Sequence, residues 1–124
     1  MTELNKISLN ILSNGKGILA ADESTTTMTK RLESVNIKSN EESRLNFRKI
    51  LFSSEGMKSC IGGVILYDET IKQSSGSKKI PELINGSGAI AGIKVDTGAK
   101  VLAGSSKEKI TEGLDGLRER LKEY

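Results

Sequence analysis

Asp22 stands where an apolar segment of the sequence ends. The segment is residues 18–21, and a carboxylate that directly follows a buried strand fits a proton-handling role. The alternative is a structural carboxylate that accepts hydrogen bonds from the backbone amides after it. The pattern alone leaves both interpretations open.

Lys94 lies within another apolar segment, between Ile93 and Val95. An ammonium group in such surroundings must be paired or lose its charge. Asp96 is two residues further on, which predicts that it projects from the same strand face. The pattern favours a desolvated amine able to form a Schiff base, with a buried ion pair to Asp96 or Asp22 as the structural alternative.

Hydroxyl and basic side chains follow Asp22 at the expected start of a helix. They are Ser24, Thr27, Lys30 and Arg31. Free backbone amides and the positive end of a helix dipole attract phosphate, and nearby basic side chains add charge. Ordinary helix capping by the hydroxyls and a solvated basic face would explain the same residues without a ligand.

Composition excludes several kinds of chemistry. The chain has no histidine and a single cysteine, Cys60, which we expect to be a small buried apolar group without a disulfide. The acidic residues lack metal-ligand spacing. Gly62 and Gly63 do not open a helix in a dinucleotide-binding pattern, so we expect no metal and no cofactor.

Charge and hydropathy favour small anionic partners and a cytoplasmic location. The net charge of +3 is dispersed, which suits small phosphorylated anions better than nucleic acid. Neither a secretion signal nor an apolar run long enough for a membrane span is evident. We therefore expect no nucleic-acid partner, no membrane association and a cytoplasmic location.

The apolar pattern predicts an α/β fold. Continuous apolar runs at residues 18–21, 61–66 and 89–95 are typical of strands buried on both faces of a parallel sheet. Helices are expected at residues 3–12, 28–35, 41–52, from Pro81 onward, and from about residue 112 to the end, with a polar loop at 74–79. These elements fit either a small three-stranded sandwich or the beginning of a (β/α) barrel.

Several short motifs follow one another along the chain. They are GKGILAADEST at residues 15–25, KRL at 30–32, CIGGVILYDET at 60–70, GIKVD at 92–96, LAG at 102–104 and GLDGL at 113–117. In this order they resemble the class I fructose-bisphosphate aldolases, over nearly the whole chain. The resemblance implies the N-terminal part, about three strands, of a TIM (β/α)8 barrel.

The resemblance also implies an activity and roles for individual residues. The family cleaves fructose 1,6-bisphosphate reversibly into dihydroxyacetone phosphate and glyceraldehyde 3-phosphate, through a Schiff base and without a metal. It assigns Asp22 to proton transfer and Lys94 to substrate binding and pocket charge, and not to the Schiff base. It assigns Ser24, Thr27 and Arg31 to substrate binding, with Thr27 standing where the family commonly has serine.

Further positions carry weaker assignments. Arg44 aligns with an arginine linked to substrate binding in the family, but an ion pair with Glu41 on the same helix is an equal alternative. Tyr67, Asp68 and Glu69 are expected to position the loop after the second strand.

The chain is shorter than the family's domain, and residues 1–124 are therefore expected to be an incomplete barrel domain. The Schiff-base lysine is implied to lie on a strand beyond Tyr124, so the isolated chain is expected to be inactive and poorly folded, with the full-length protein a homo-oligomer, usually a tetramer. A short non-catalytic phosphate-binding or assembly module is the alternative function. A phosphosugar lyase of another specificity is a third.

Overall fold

The computed structural model describes residues 2–124, which form two compact units, the first ending at Ile93 and the second Lys94–Tyr124. The helices of the first unit are α1 Glu3–Ile11, α2 Thr25–Ser34, α3 Glu41–Phe52, α4 Gly56–Cys60, α5 Asp68–Lys72 and α6 Ile80–Gly86. Its strands are β1 Gly17–Ala21, β2 Ile61–Leu66, β3 Ser74–Ser75, β4 Lys78–Lys79 and β5 Ile90–Ile93.

The three apolar runs form one parallel sheet in the order β1-β2-β5, as the sequence predicts. The register pairs Ala21 with Leu66 and Leu66 with Ile93, so the carboxyl ends of the three strands are level. Central strand β2 supplies Val64 and Leu66 to the core. Buried helical side chains complete that core: Phe52, Met57, Ile80 and Ile84.

The starts of α1, α2 and α3 carry polar side chains that accept hydrogen bonds from their free amides. The Asn40 side chain accepts a hydrogen bond from the Ser43 amide of α3 at 2.8 Å, while the Ser43 hydroxyl accepts one from the Asn40 amide at 2.9 Å. This reciprocal pair fixes the first turn of α3. Pro81 stands in the first turn of α6, where its missing N–H costs nothing.

Gly62 and Gly63 allow α1 to approach the sheet closely. A Cβ atom at Gly62 would overlap the carbonyl oxygen of Ile11, at the end of α1, and one at Gly63 would lie 3.1 Å from Ile11 Cγ2. The two glycines therefore serve packing, which agrees with the absence of a dinucleotide-binding pattern around them.

Arg44 joins α3 to α5. Its Nε donates to Glu69 Oε2 at 2.9 Å and its terminal nitrogen to Glu69 Oε1 at 2.5 Å, with side chains 11% and 21% exposed. The hydrogen bond from Arg44 is the main cause that lowers the pKa of the Glu69 carboxyl. The expected ion pair of Arg44 thus forms with Glu69 and not with Glu41. The loop expected after the second strand is instead helix α5, which begins at Asp68 and which the Glu69 side chain attaches to α3.

The second unit contains an antiparallel hairpin and a helix. They are β6 Gly98–Val101, paired with β7 Lys109–Glu112, and α7 Leu117–Glu123. Arg120 of α7 donates to the carbonyl oxygens of Val95, at 3.0 Å, and Gly113, at 2.6 Å. These bonds hold the segments before and after the hairpin together.

Other sequence-based expectations need correction. The second helix begins at Thr25 and not at residue 28, because the Ser24 side chain caps it. The last helix begins at Leu117 and not near residue 112, because Lys109–Glu112 pairs with β6 and Gly116 adopts a left-handed conformation before α7. The third strand ends at Ile93 and not at Val95. Residues 74–79 contain the short hairpin β3–β4. The Cys60 side chain is exposed, since it ends α4 on the side that faces away from the core.

The contact at Gly62 generates a stability prediction. Replacement of Gly62 by alanine forces the end of α1 away from β2, so we expect the free energy of unfolding to fall by about 1–3 kcal/mol. Urea unfolding of a full-length protein that contains residues 1–124, followed by circular dichroism, measures this change. Gly17→Ala is the matched control, because a Cβ in that strand meets no atom within 4 Å. Equal losses for the two variants would contradict the packing role of Gly62.

The Arg44–Glu69 pair predicts a pH-dependent contribution to stability. Because the folded-state pKa of Glu69 lies below its ordinary value of 4.5, the pair stabilises fully above that pH and its contribution is lost as pH falls through the folded pKa. At pH 7 Glu69→Gln should cost about 1–2 kcal/mol.

The difference between wild type and Glu69→Gln should therefore shrink as urea unfolding is repeated from pH 7 down to pH 3. Lys72→Gln is the control, because the Lys72–Asp68 pair is about half exposed and contributes little. A constant difference across this pH range would show that Glu69 acts by something other than its charge.

Candidate active site

Asp22 occupies the carboxyl edge of the sheet. It is the first residue after β1, and Tyr67 is the first after β2, so both stand at the level where these strands end. Ala21, just before Asp22, is buried in the core, whereas Asp22 itself is partly exposed. The backbone of Asp22 therefore continues directly from the buried end of β1, while its carboxylate remains accessible to a solute.

A buried arginine holds the backbone on both sides of Asp22. Arg48, on α3, is 1% exposed, and its Nε donates to the carbonyl oxygen of Ala21 at 3.2 Å. Its terminal nitrogen donates to the carbonyl oxygen of Glu23 at 2.6 Å. Burial lowers the pKa of the Arg48 guanidinium, and the negative charges of Glu23, Glu69 and Asp22 oppose that effect.

Glu23 lies between two arginines. Its Oε2 is 3.7 Å from the terminal nitrogen of Arg48, and its Oε1 forms an ion pair with Arg31 of α2. Arg31 is more than half exposed, while Glu23 is largely covered. A buried cation, a covered carboxylate and an exposed cation thus follow one another from the core to the surface.

Ser24 and Thr27 are at the amino end of α2. The Ser24 hydroxyl accepts a hydrogen bond from the Thr27 amide at 3.3 Å and lies 3.1 Å from the Thr27 hydroxyl. Helix capping by Ser24 is therefore present. The two hydroxyls also stand beside the free amides of the first turn, which are suitable donors to an anion. Lys30 is exposed on the same helix.

Lys94 opens the second unit and pairs with Asp96. Its Nζ lies 2.6 Å from Asp96 Oδ2, and Asp96 Oδ1 accepts from the Gly98 amide at 3.0 Å. The hydrogen bond from Lys94 is the main cause that lowers the pKa of Asp96. The expected pair exists, but its side chains are 29% and 33% exposed, so it is not the buried pair that the apolar neighbours suggested. The strand ends before Lys94, which leaves it in a loop.

The structure gathers some of the predicted residues and gives others separate partners. Within the first unit, Asp22, Ser24, Thr27 and Arg31 lie along β1 and α2. Arg44 instead contacts Glu69 and Ser39. Sequence reasoning did not identify Glu23 or Arg48. Position 48 falls on the face of α3 that carries Leu45 and Phe52, and a charged residue on that face was the available signal.

Within the described part of the chain we find neither a cluster of metal ligands nor a helix that could span a membrane. Residues 2–124 contain no group of three histidine, cysteine or acidic side chains able to hold a metal ion. None of the helices in this range combines the length and apolar composition that a membrane crossing requires.

Comparison with known proteins identifies the fold. A solved structure of fructose-bisphosphate aldolase from Plasmodium falciparum, in complex with TRAP and a small-molecule inhibitor, matches with a TM-score of 0.91 and 41% identity. The match covers 98% of this chain and 35% of that one. The three-stranded parallel sheet is thus the N-terminal part of a (β/α)8 barrel, as predicted.

Sequence comparison identifies the family. Fructose-bisphosphate aldolase B from Sparus aurata is 48% identical over 98% of the chain, and the human aldolase B is 46% identical over the same share. The chain spans about a third of the length of these relatives. The family profile described as fructose-bisphosphate aldolase class-I, glycolytic, matches residues 3–124. The chain belongs to the class I fructose-bisphosphate aldolase family.

Proposed function

We propose that residues 1–124 form the N-terminal part of a single aldolase barrel domain. The activity of that domain is the reversible cleavage of fructose 1,6-bisphosphate into dihydroxyacetone phosphate and glyceraldehyde 3-phosphate. The chain works with the remaining two thirds of such a barrel, in the cytoplasm and as a homo-oligomer, usually a tetramer. The substrate is a phosphorylated sugar, and neither a metal nor another cofactor takes part.

The observation that carries the proposal is the arrangement around Asp22. A carboxylate at the level where the parallel strands end stands one residue before Glu23 and two before the helix cap Ser24. Arg31 lies two turns further along α2. Only a few residues therefore separate the proton-transfer group Asp22 from the anion-binding start of α2. This proximity suits a phosphorylated substrate, which needs both groups.

The proposed chemistry divides between this chain and the rest of the barrel. A lysine on a later strand attacks the substrate ketone, and loss of water gives an iminium. When the carbon–carbon bond breaks, its electron pair moves to the iminium and leaves an enamine. Asp22 assists the proton transfers that accompany this cleavage. Lys94 contributes positive charge to the pocket, which stabilises the anionic groups of the substrate.

Phosphate binding is assigned to Ser24, Thr27 and Arg31. In the unliganded chain the Arg31 guanidinium is already paired with Glu23, so a phosphate must compete with that carboxylate. Arg44 is a weaker candidate for substrate binding, because its guanidinium already donates to both carboxylate oxygens of Glu69 and to the Ser39 hydroxyl. For Arg44 to contact the substrate, its guanidinium would have to separate from Glu69 or donate to both groups at once.

Exposed apolar side chains support the assignment to a larger barrel. Ile18, on the edge strand β1, is 53% exposed, and Ile50 of α3 is 70% exposed. Strand β1 is also an edge of the sheet, and its unpaired backbone groups can bond a further strand. The remaining strands and helices of a barrel would supply that strand and cover these side chains.

The activity is tested in a full-length hybrid, in which residues 1–124 replace the matching third of the Sparus aurata aldolase B. We expect the hybrid to cleave fructose 1,6-bisphosphate. Asp22→Asn should lower its kcat by about 100-fold or more, because the amide of the variant cannot take up the proton that the Asp22 carboxylate accepts. A coupled assay for the triose phosphates measures both. Glu33→Gln, which removes an exposed carboxylate of α2, is the control.

The separate 124-residue chain should show no cleavage. A folded hybrid without activity, together with inorganic phosphate binding by the 124-residue chain, would instead favour a non-catalytic phosphate-binding module. Cleavage of a different phosphosugar by the hybrid would favour a lyase of another specificity.

The phosphate assignment predicts a selective effect on KM. Thr27→Val keeps the shape of the side chain but removes its hydroxyl. We expect KM for fructose 1,6-bisphosphate to rise by about tenfold in the hybrid, because this factor corresponds to the free energy of one hydrogen bond to a charged group. Thr26→Val, on the exposed side of the same helix turn, is the matched control. Equal KM values for the two variants would remove Thr27 from the binding site.

A further inference from the structure

We propose that Arg48 is a positioning residue for the reaction, fixing the place of the Asp22 carboxylate through the backbone on both sides of it. The inference rests on the proposed function, in which Asp22 assists proton transfer. Arg48 lies on α3, outside the segments that carry the proposed catalytic and phosphate-binding groups, and it acts through Asp22 and not on the substrate.

The geometry provides two points of attachment. Arg48 Nε bonds the carbonyl of Ala21 at 3.2 Å, and its terminal nitrogen bonds the carbonyl of Glu23 at 2.6 Å. The residue between these carbonyls is Asp22. Because a guanidinium is planar and rigid, two bonds from it fix the distance and the relative orientation of the two peptide groups. The dihedral angles of Asp22 are then restricted from both sides.

A second contact restrains the same segment. Glu23 Oε2 lies 3.7 Å from the Arg48 terminal nitrogen. This contact is an electrostatic attraction without a hydrogen bond, and it adds to the two carbonyl bonds that fix the backbone. The acidic partner also offsets part of the cost of placing a cation in the core.

Packing alone does not account for an arginine at this position. Arg48 is as buried as its neighbour on the core face of α3, Phe52, which is 2% exposed. A buried charge costs free energy that a well-packed apolar side chain would not, and apolar replacements of such groups are often tolerated or stabilising. What an apolar side chain cannot supply is the pair of hydrogen bonds to the carbonyls that flank Asp22.

The test uses the full-length hybrid with three variants. Arg48→Met keeps a long buried side chain but removes every donor, and we expect kcat to fall by about 10- to 100-fold, as small displacements of a catalytic group do. Arg48→Lys keeps one donor group and the charge, so it should recover part of the loss. Phe52→Leu changes a buried side chain on the same face of α3 that donates no hydrogen bond to residues 21–23, and it should leave kcat unchanged. Rates are compared per folded molecule, measured by circular dichroism.

A double-mutant cycle with Asp22→Asn separates positioning from stability. If Arg48 acts through Asp22, Arg48→Met should lower kcat in the wild-type background and have no further effect once Asp22 is replaced. An equal fold-loss of kcat in both backgrounds would overturn the inference while leaving the role of Asp22 intact. Should Arg48→Met fail to fold, Arg48→Lys decides alone, and a wild-type kcat for it would overturn the proposal.

Failure of the proposed function gives a different result. Full activity of Asp22→Asn would remove Asp22 from proton transfer, whatever the Arg48 variants do, and the inference would fall with it. Loss of activity in Asp22→Asn with undiminished activity in Arg48→Met and Arg48→Lys would refute only the inference.

Discussion

The burial of the Arg48 charge is the constraint on which the carboxyl edge of the sheet depends. A guanidinium excluded from water needs an acceptor for its N–H groups, and the backbone carbonyls at the end of a strand need donors. Arg48 meets both needs at once, because its Nε and terminal nitrogen bond the carbonyls of Ala21 and Glu23. Helix α3 is consequently held at one orientation over the end of β1, with Phe52 directed into the core.

Charged residues around this edge are paired with carboxylates before any ligand arrives. Within the first unit, Arg31 is paired with Glu23 and Arg44 with Glu69. Such pairing spreads the positive charge and lowers the attraction of isolated anions. On the proposed function, a substrate with two phosphate groups would gain more from displacing these carboxylates than a simple anion with one. The pairs would then contribute selectivity as well as local order.

The sequence predicted the elements whose patterns are set by burial or by local hydrogen bonds. The strands β1 and β2 were clear because both of their faces are apolar, and the start of α3 was clear because Asn40 and Ser43 cap it reciprocally. The hairpin β6–β7 was missed because every residue of β7 is exposed, so no apolar alternation marks it. The exposed Cys60 was misjudged because composition alone does not show which side of a short helix faces the core.

The site was predicted in part for the same reason. Asp22 and the hydroxyls of Ser24 and Thr27 follow directly from the end of β1 and the start of α2, both local features. Arg48 approaches Asp22 from more than 25 residues away, and that contact depends on how α3 packs. A resemblance to a family implies which residues meet the substrate, but it does not name the buried side chain that bonds the backbone on both sides of one of them. Only the packed structure shows that relation.

The parallel pairing of β1 with β2 has a consequence for synthesis of the chain. Ala21 and its partner Leu66 are roughly 45 residues apart, so β1 leaves the ribosome long before the strand that will shield it exists. In that interval α2 and α3 can form from their own caps, whereas the apolar residues of β1 have no sheet to join. At ordinary rates of translation, the nascent chain therefore exposes an apolar, aggregation-prone segment for several seconds. Molecular chaperones can bind the segment during this interval.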